Sequence, residues 1–122
     1  LLSLAIQTPE VPARVPVALL AGELEKNLAK VSSIGYDGVE LITTDPAGLD
    51  RITIKKILIQ HHLQVSAIAS GGMAFAVKLT LLNPDPNVAL LARQRLDEMI
   101  DLASDLGAPV VTVGSFRGRG NV

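Results

Sequence analysis

The chain is 122 residues long, enough for one domain with its own core, and 48% of it is apolar while its charges are scattered rather than gathered in a tail. A net charge of −1 offers no dense positive field to hold a phosphate backbone, which argues against nucleic acid as a partner. There is no cysteine, so neither a disulfide nor a thiolate metal site can form; no apolar run reaches the roughly 18 residues of a membrane span, and the expected home is the cytoplasm.

In chain order, residues 2–6 form a short apolar segment that ends at Gln7-Thr8-Pro9, the pattern of a buried first strand running into a loop. A proline-rich loop follows (Pro9, Pro12, Pro16). Leu24, Leu28 and Val31 then recur at helical spacing, and Gly35 suits the left-handed cap that ends a helix. Residues 38–42 read as a second strand, breaking into the turn chemistry of Thr43-Thr44-Asp45-Pro46. Asp50 can cap a helix whose apolar face is Ile54, Ile57, Leu58 and His61. Residues 65–69 alternate as a third strand, and Ser70-Gly71-Gly72 breaks it.

Residues 70–87 are long for a strand-to-helix connection, which typically takes about two to six residues, and form a candidate lid or binding loop. From Asn87 the most regular helical pattern of the chain begins, with Ala92, Leu96, Met99, Ile100 and Ala103 on one face, and Gly107 stops it. Residues 110–113 are the expected fourth strand, and residues 114–120 the loop beyond. The order βαβαβαβ implies a parallel sheet with right-handed crossovers. Ile34-Gly35 and Leu106-Gly107 each stand just before a strand and close a helix in the same way.

The run Leu102-Ala103-Ser104-Asp105-Leu106-Gly107-Ala108-Pro109-Val110-Val111-Thr112-Val113-Gly114, with Ile34-Gly35-Tyr36-Asp37-Gly38-Val39-Glu40-Leu41, resembles the sugar phosphate isomerase/epimerase family, the xylose-isomerase-like (β/α)₈ barrels. The resemblance covers essentially the whole chain and implies an α/β fold, the parallel (βα)₄ half of a TIM barrel with strand order 1-2-3-4. A complete barrel takes about 250 residues. Residues 1–122 are therefore expected to be a single domain and the N-terminal half of a longer parent, with strand edges whose exposure invites self-association.

Members of this family bind one divalent cation (Mn, Mg, Co or Zn) through Glu, Asp and His at the ends of later strands. Two glutamates there move a proton between adjacent carbons of an open-chain sugar through an enediolate. The resemblance thus implies a cation for the full-length parent and none in this chain, with a sugar or sugar phosphate as substrate. In the endonuclease-like branch, histidines are expected after strands three and four. Here those positions hold Ser70-Gly71-Gly72 and Gly114-Ser115-Phe116, which argues against DNA repair.

His61 and His62 are the only histidines, adjacent at a helix end on the face opposite the expected site, and read as structural. Glu40 is an acid inside an apolar strand, available either to a substrate hydroxyl or to a structural pair. Gln7, Ser70 and Ser115 sit where strands run into loops, the face on which barrels build their sites. Arg117 and Arg119, in a glycine-rich loop, could hold a phosphate through their forked donors or simply face solvent. No catalytic residue is assigned. Two rival readings stand beside the isomerase/epimerase. One is a non-catalytic half-barrel binding a small polyol or a protein partner; the other is a flavodoxin-like open sheet of order 2-1-3-4.

Overall fold

The computed structural model describes residues 2–12 and 18–119; Pro16 of the proline-rich loop and Gly120 of the last loop lie outside the described residues. Three strands, β1 (Ser3–Gln7), β2 (Gly38–Ile42) and β3 (Gln64–Ala69), pair in parallel in the order β1-β2-β3. Because β2 lies in the middle, the flavodoxin-like order, which needs β1 there, is excluded. Ser3 aligns with Gly38 and Gln7 with Ile42 along β1 and β2. On β3 the register slips opposite Val39 and Glu40, leaving Ser66 as the extra residue, and its hydroxyl donates to the Val39 carbonyl at 3.2 Å.

The expected fourth strand is reduced to one parallel bridge between Ile68 and Val111. The Ile68 amide donates to the Val110 carbonyl and the Thr112 amide to the Ile68 carbonyl, each at 3.0 Å. At Val113 the backbone has already turned helical (φ −113°, ψ −41°) into a 3₁₀ turn, Gly114–Arg117. The segment leaves the extended conformation too early to add a second rung.

Helix α1 (Leu24–Ile34) buries Leu28 and Val31 and ends at Gly35 with φ 106°, in the left-handed region. Helix α2 (Arg51–Gln60) starts at Asp50, whose carboxylate accepts from the Thr53 amide at 3.2 Å and the Thr53 hydroxyl at 2.7 Å. Those bonds, the hydroxyl's first, hold the Asp50 carboxyl below its ordinary value. The connection expected to be a loop over residues 70–87 contains a short helix, α3 (Gly71–Ala76). Packing supplies what the glycine-rich sequence does not: Met73 is fully buried and Gly72 abuts Thr44 and Val11.

Helix α4 (Pro86–Leu106) has Pro86 in its first turn and Asp85 as cap, and it ends at Gly107 with φ 74°. Its buried face is Ala92, Met99, Leu102 and Ala103; Ile100, expected on that face, is half exposed. A helix stripe centred on Met99 turns position 100 about 100° away. Arg51 reaches Asp101 at 3.0 Å and Lys55 bonds Asp105, tying α2 to α4. The Lys55 bond leads the causes that lower the Asp105 carboxyl.

The core lies between one sheet face and the helices, joining Ile6, Val39, Leu41, Val65 and Ile68 to Leu28, Val31, Ile57, Met99 and Leu102. Alternation along each strand puts Ser3, Ala5, Gln7, Gly38, Glu40 and Ile42 on the opposite face. There the Ser3 and Ser66 hydroxyls meet at 2.6 Å. A Cβ at Gly38 would stand 2.7 Å from the Gln64 carbonyl oxygen, so only glycine fits at that point of the sheet. Among the described residues no helix is long and apolar enough to cross a membrane.

Candidate functional site

All three strands point their carboxyl ends the same way, so the loops after Gln7, Ile42 and Ala69 gather on one rim. The first residue beyond each strand carries a hydroxyl: Thr8, Thr43 and Ser70, all buried. Each extends the sheet by one bond. The Thr8 amide donates to the Ile42 carbonyl at 2.9 Å, the Thr43 amide to Ala69 at 3.4 Å, and the Ser70 hydroxyl to the Thr112 carbonyl at 2.7 Å. The rim is thus a row of hydroxyls held by the same ladder that holds the strands.

Above that row stands Glu10, placed by the turn at Thr8-Pro9. One oxygen of its carboxylate, Oε1, accepts from the Thr8 hydroxyl at 2.6 Å, from the Thr43 hydroxyl, and from the amides of Thr44 at 3.1 Å and Asp45 at 3.4 Å. The loops after β1 and β2 are pinned together through that oxygen. Oε2 faces no partner among the described residues, which makes it an acceptor already held in place for a ligand hydroxyl. Beside it, Arg95 of α4 reaches Asp45 at 3.5 Å and Glu98 at 3.3 Å, so the rim carries both signs of charge.

The residues anticipated from sequence fall into two groups. Gln7 is buried at the end of β1, where its Oε1 accepts from the Ala18 amide at 3.1 Å. Ser70 is buried too, its hydroxyl shared between the carbonyls of Thr112 and Val113. Glu40 sits lower, on the helix-free face, half buried and without a hydrogen-bond partner among the described residues. Ser115, Arg117 and Arg119 come together instead around a cavity of about 500 Å³ under α3. His61 and His62 lie at the end of α2 preceding β3, at the opposite end of the sheet from the rim.

Sequence reasoning missed Glu10, Thr8, Thr43 and Arg95. The usable signal was the repeat of a hydroxyl residue directly after each strand, in Gln7-Thr8, Ile42-Thr43 and Ala69-Ser70. Nothing local marks Glu10 or Arg95 as rim residues, because each reaches across the fold to Asp45, 35 and 50 positions away in the chain.

No three Asp, Glu, His or Cys side chains gather into a group that could hold a metal ion among the described residues. The donor set on this rim, hydroxyls with Glu10 held by Thr8, Thr43 and Thr44 and with Asp45 and Glu98 held by Arg95, does not fit the divalent cation the resemblance implies for a full barrel. What the arrangement can do is accept and donate hydrogen bonds to a polyhydroxylated ligand. In comparisons with known proteins, the family model of the xylose isomerase-like TIM barrel matches residues 28–121. No curated protein matches the chain.

Proposed function

The chain belongs to the xylose isomerase-like TIM barrel family, and on that premise we propose that it supplies the first strand–helix units of a sugar or sugar-phosphate isomerase or epimerase. The observation that carries this reading is the polar rim at the carboxyl ends of parallel strands, with Glu10 fixed above a row of buried hydroxyls. In this reading the described residues bind and orient an open-chain sugar. Glu10 Oε2 and the Glu40 carboxylate accept hydrogen bonds from its hydroxyls. The carboxylates that move the proton between neighbouring carbons, and the ligands of the divalent cation, belong to strand ends beyond the described residues. The remaining units of the barrel, with those groups, come from further chain, and a cytoplasmic location fits such an enzyme.

A test assays the complete barrel, this chain together with the units that carry those groups, for ketose–aldose interconversion and epimerisation of ketopentoses, with and without Mn²⁺. Turnover that requires the cation and is lost with EDTA is expected. Glu40→Gln should raise KM by about tenfold with little change in kcat, because it removes binding rather than chemistry. A folded protein that turns over no sugar in the panel contradicts the proposal. As second reading, the fixed hydrogen-bonding groups of the rim suit a non-catalytic module that binds a polyol or a protein partner. Saturable polyol binding with no turnover in any cation would select it.

A further inference from the structure

Resting on that reading, we infer that the cavity between α3 and the loop after Val113 binds the phosphate group of a phosphorylated ligand. The cavity, about 500 Å³, is lined by Phe75, Thr80, Ser115, Arg117, Gly118 and Arg119 among others, and no carboxylate lines it. Neither arginine has an ion-pair partner among the described residues, whereas Arg51 and Arg95 are both engaged with acids. Two arginines lining one concavity without an ion pair among the described residues, in a chain of net charge −1, make a local positive site against an overall negative background.

The walls are held in place. Phe116 is fully buried beneath the loop, and the amides of Leu81 and Leu82 donate to the carbonyls of Phe116 and Arg117 at 2.9 and 3.0 Å. The segment after α3 and the loop after Val113 therefore form one backbone-paired unit, and both arginines belong to that loop. Gly118 has φ 84°, and a Cβ there would stand 2.9 Å from the Thr80 Cβ and 3.1 Å from its hydroxyl oxygen. The glycine keeps Thr80 and the loop in close approach, with the Ser115 and Thr80 hydroxyls as further donors at the cavity wall. Forked guanidinium donors with hydroxyls beside them match the three oxygens of a phosphate monoester.

The same chemistry could serve a sugar phosphate or free phosphate, and calorimetric titration of the whole protein separates them. D-ribulose 5-phosphate, D-ribulose and inorganic phosphate are the probes. The expected order is ribulose 5-phosphate tightest, with the unphosphorylated sugar weaker by about tenfold or more. Arg117→Gln and Arg119→Gln should each weaken the phosphorylated sugar by about tenfold and leave ribulose unchanged. Arg93→Gln, which removes the same charge from an exposed position on α4, should change neither.

Circular dichroism of each variant checks that the fold is kept, and Arg117→Lys, which retains charge without the fork, should recover part of the loss. Inorganic phosphate binding as tightly as the sugar phosphate, with the same arginine dependence, would keep the pocket and assign it to the free ion. Equal affinity for the two sugars, or an Arg93→Gln effect as large as the others, overturns the pocket. Those results leave the sugar-binding rim standing, since ribulose binding reports on it separately.

Discussion

His62 occupies a position that the rest of the chain gives to glycine. Helices α1 and α4 end at Gly35 and Gly107 in the left-handed region, and α2 ends the same way at His62, with φ 54°. Its amide donates to the Ile59 carbonyl at 3.2 Å and the Leu63 amide to Leu58 at 2.9 Å, the bonding of a closed helix end. An L-residue in that conformation costs about 1–2 kcal/mol, and glycine would return part of the gain through its freer unfolded chain. His62→Gly should therefore stabilise the fold by roughly 1 kcal/mol, a rise of roughly 3–5 °C in Tm by thermal melting. An unchanged or lower Tm would show that the imidazole makes a compensating contact. The helix ends at Gly35 and Gly107 were legible because glycine announces the conformation. The third was hidden, since nothing in a histidine announces a positive φ. Glu40 shows the converse. Its alternation with Val39 and Leu41 placed it correctly off the helix-packed face, as a property of neighbours in sequence.

Among the elements, residues 110–113 are the shortest extended piece, joined to the sheet by one bridge to β3 and by the Ser70 side chain. The Ser70 hydroxyl lies 2.7 Å from the Thr112 carbonyl and 3.2 Å from that of Val113, and takes over where the ladder stops. Ser70→Ala removes that donor and leaves carbonyl groups without it, a loss of about 1 kcal/mol. Hydrogen exchange of the Thr112 amide, bonded to the Ile68 carbonyl, should quicken by about fivefold or more while amides in β2 hold their rates. Equal exchange in both proteins would mean that the segment is held elsewhere, with Phe116 the next candidate. The apolar run Val110-Val111 was legible as an extended piece. Its shortness was not, because it follows from the helical turn that the backbone takes at Val113, which no local residue type announces. In the same way the glycines of residues 71–72 argued for a loop, and it is burial of Met73 that makes α3.

At the scale of the molecule, the sheet is covered by helices on one face and carries Ser3, Glu40 and Ser66 on the other. Parallel strands in chain order with helices on one side are the geometry of a barrel wall, whereas a doubly wound sheet would carry helices on both faces. This architecture was legible from the alternation of short apolar runs and helical stripes. The rim was legible only in outline: strand-end residues could be named from position, but Glu10 reaches its partners across two loops whose approach is a product of the fold. The proposed function makes this wall part of an enzyme that moves a proton between neighbouring carbons of a sugar. Incubating the complete barrel that contains this chain with Mn²⁺ and a ketopentose, with or without its phosphate, in D₂O and following the sugar by ¹H NMR tests it directly. Solvent deuterium appearing at a carbon next to the carbonyl, at the rate the sugar is converted, is the predicted result. A sugar that keeps every proton and its configuration through prolonged incubation would contradict the account.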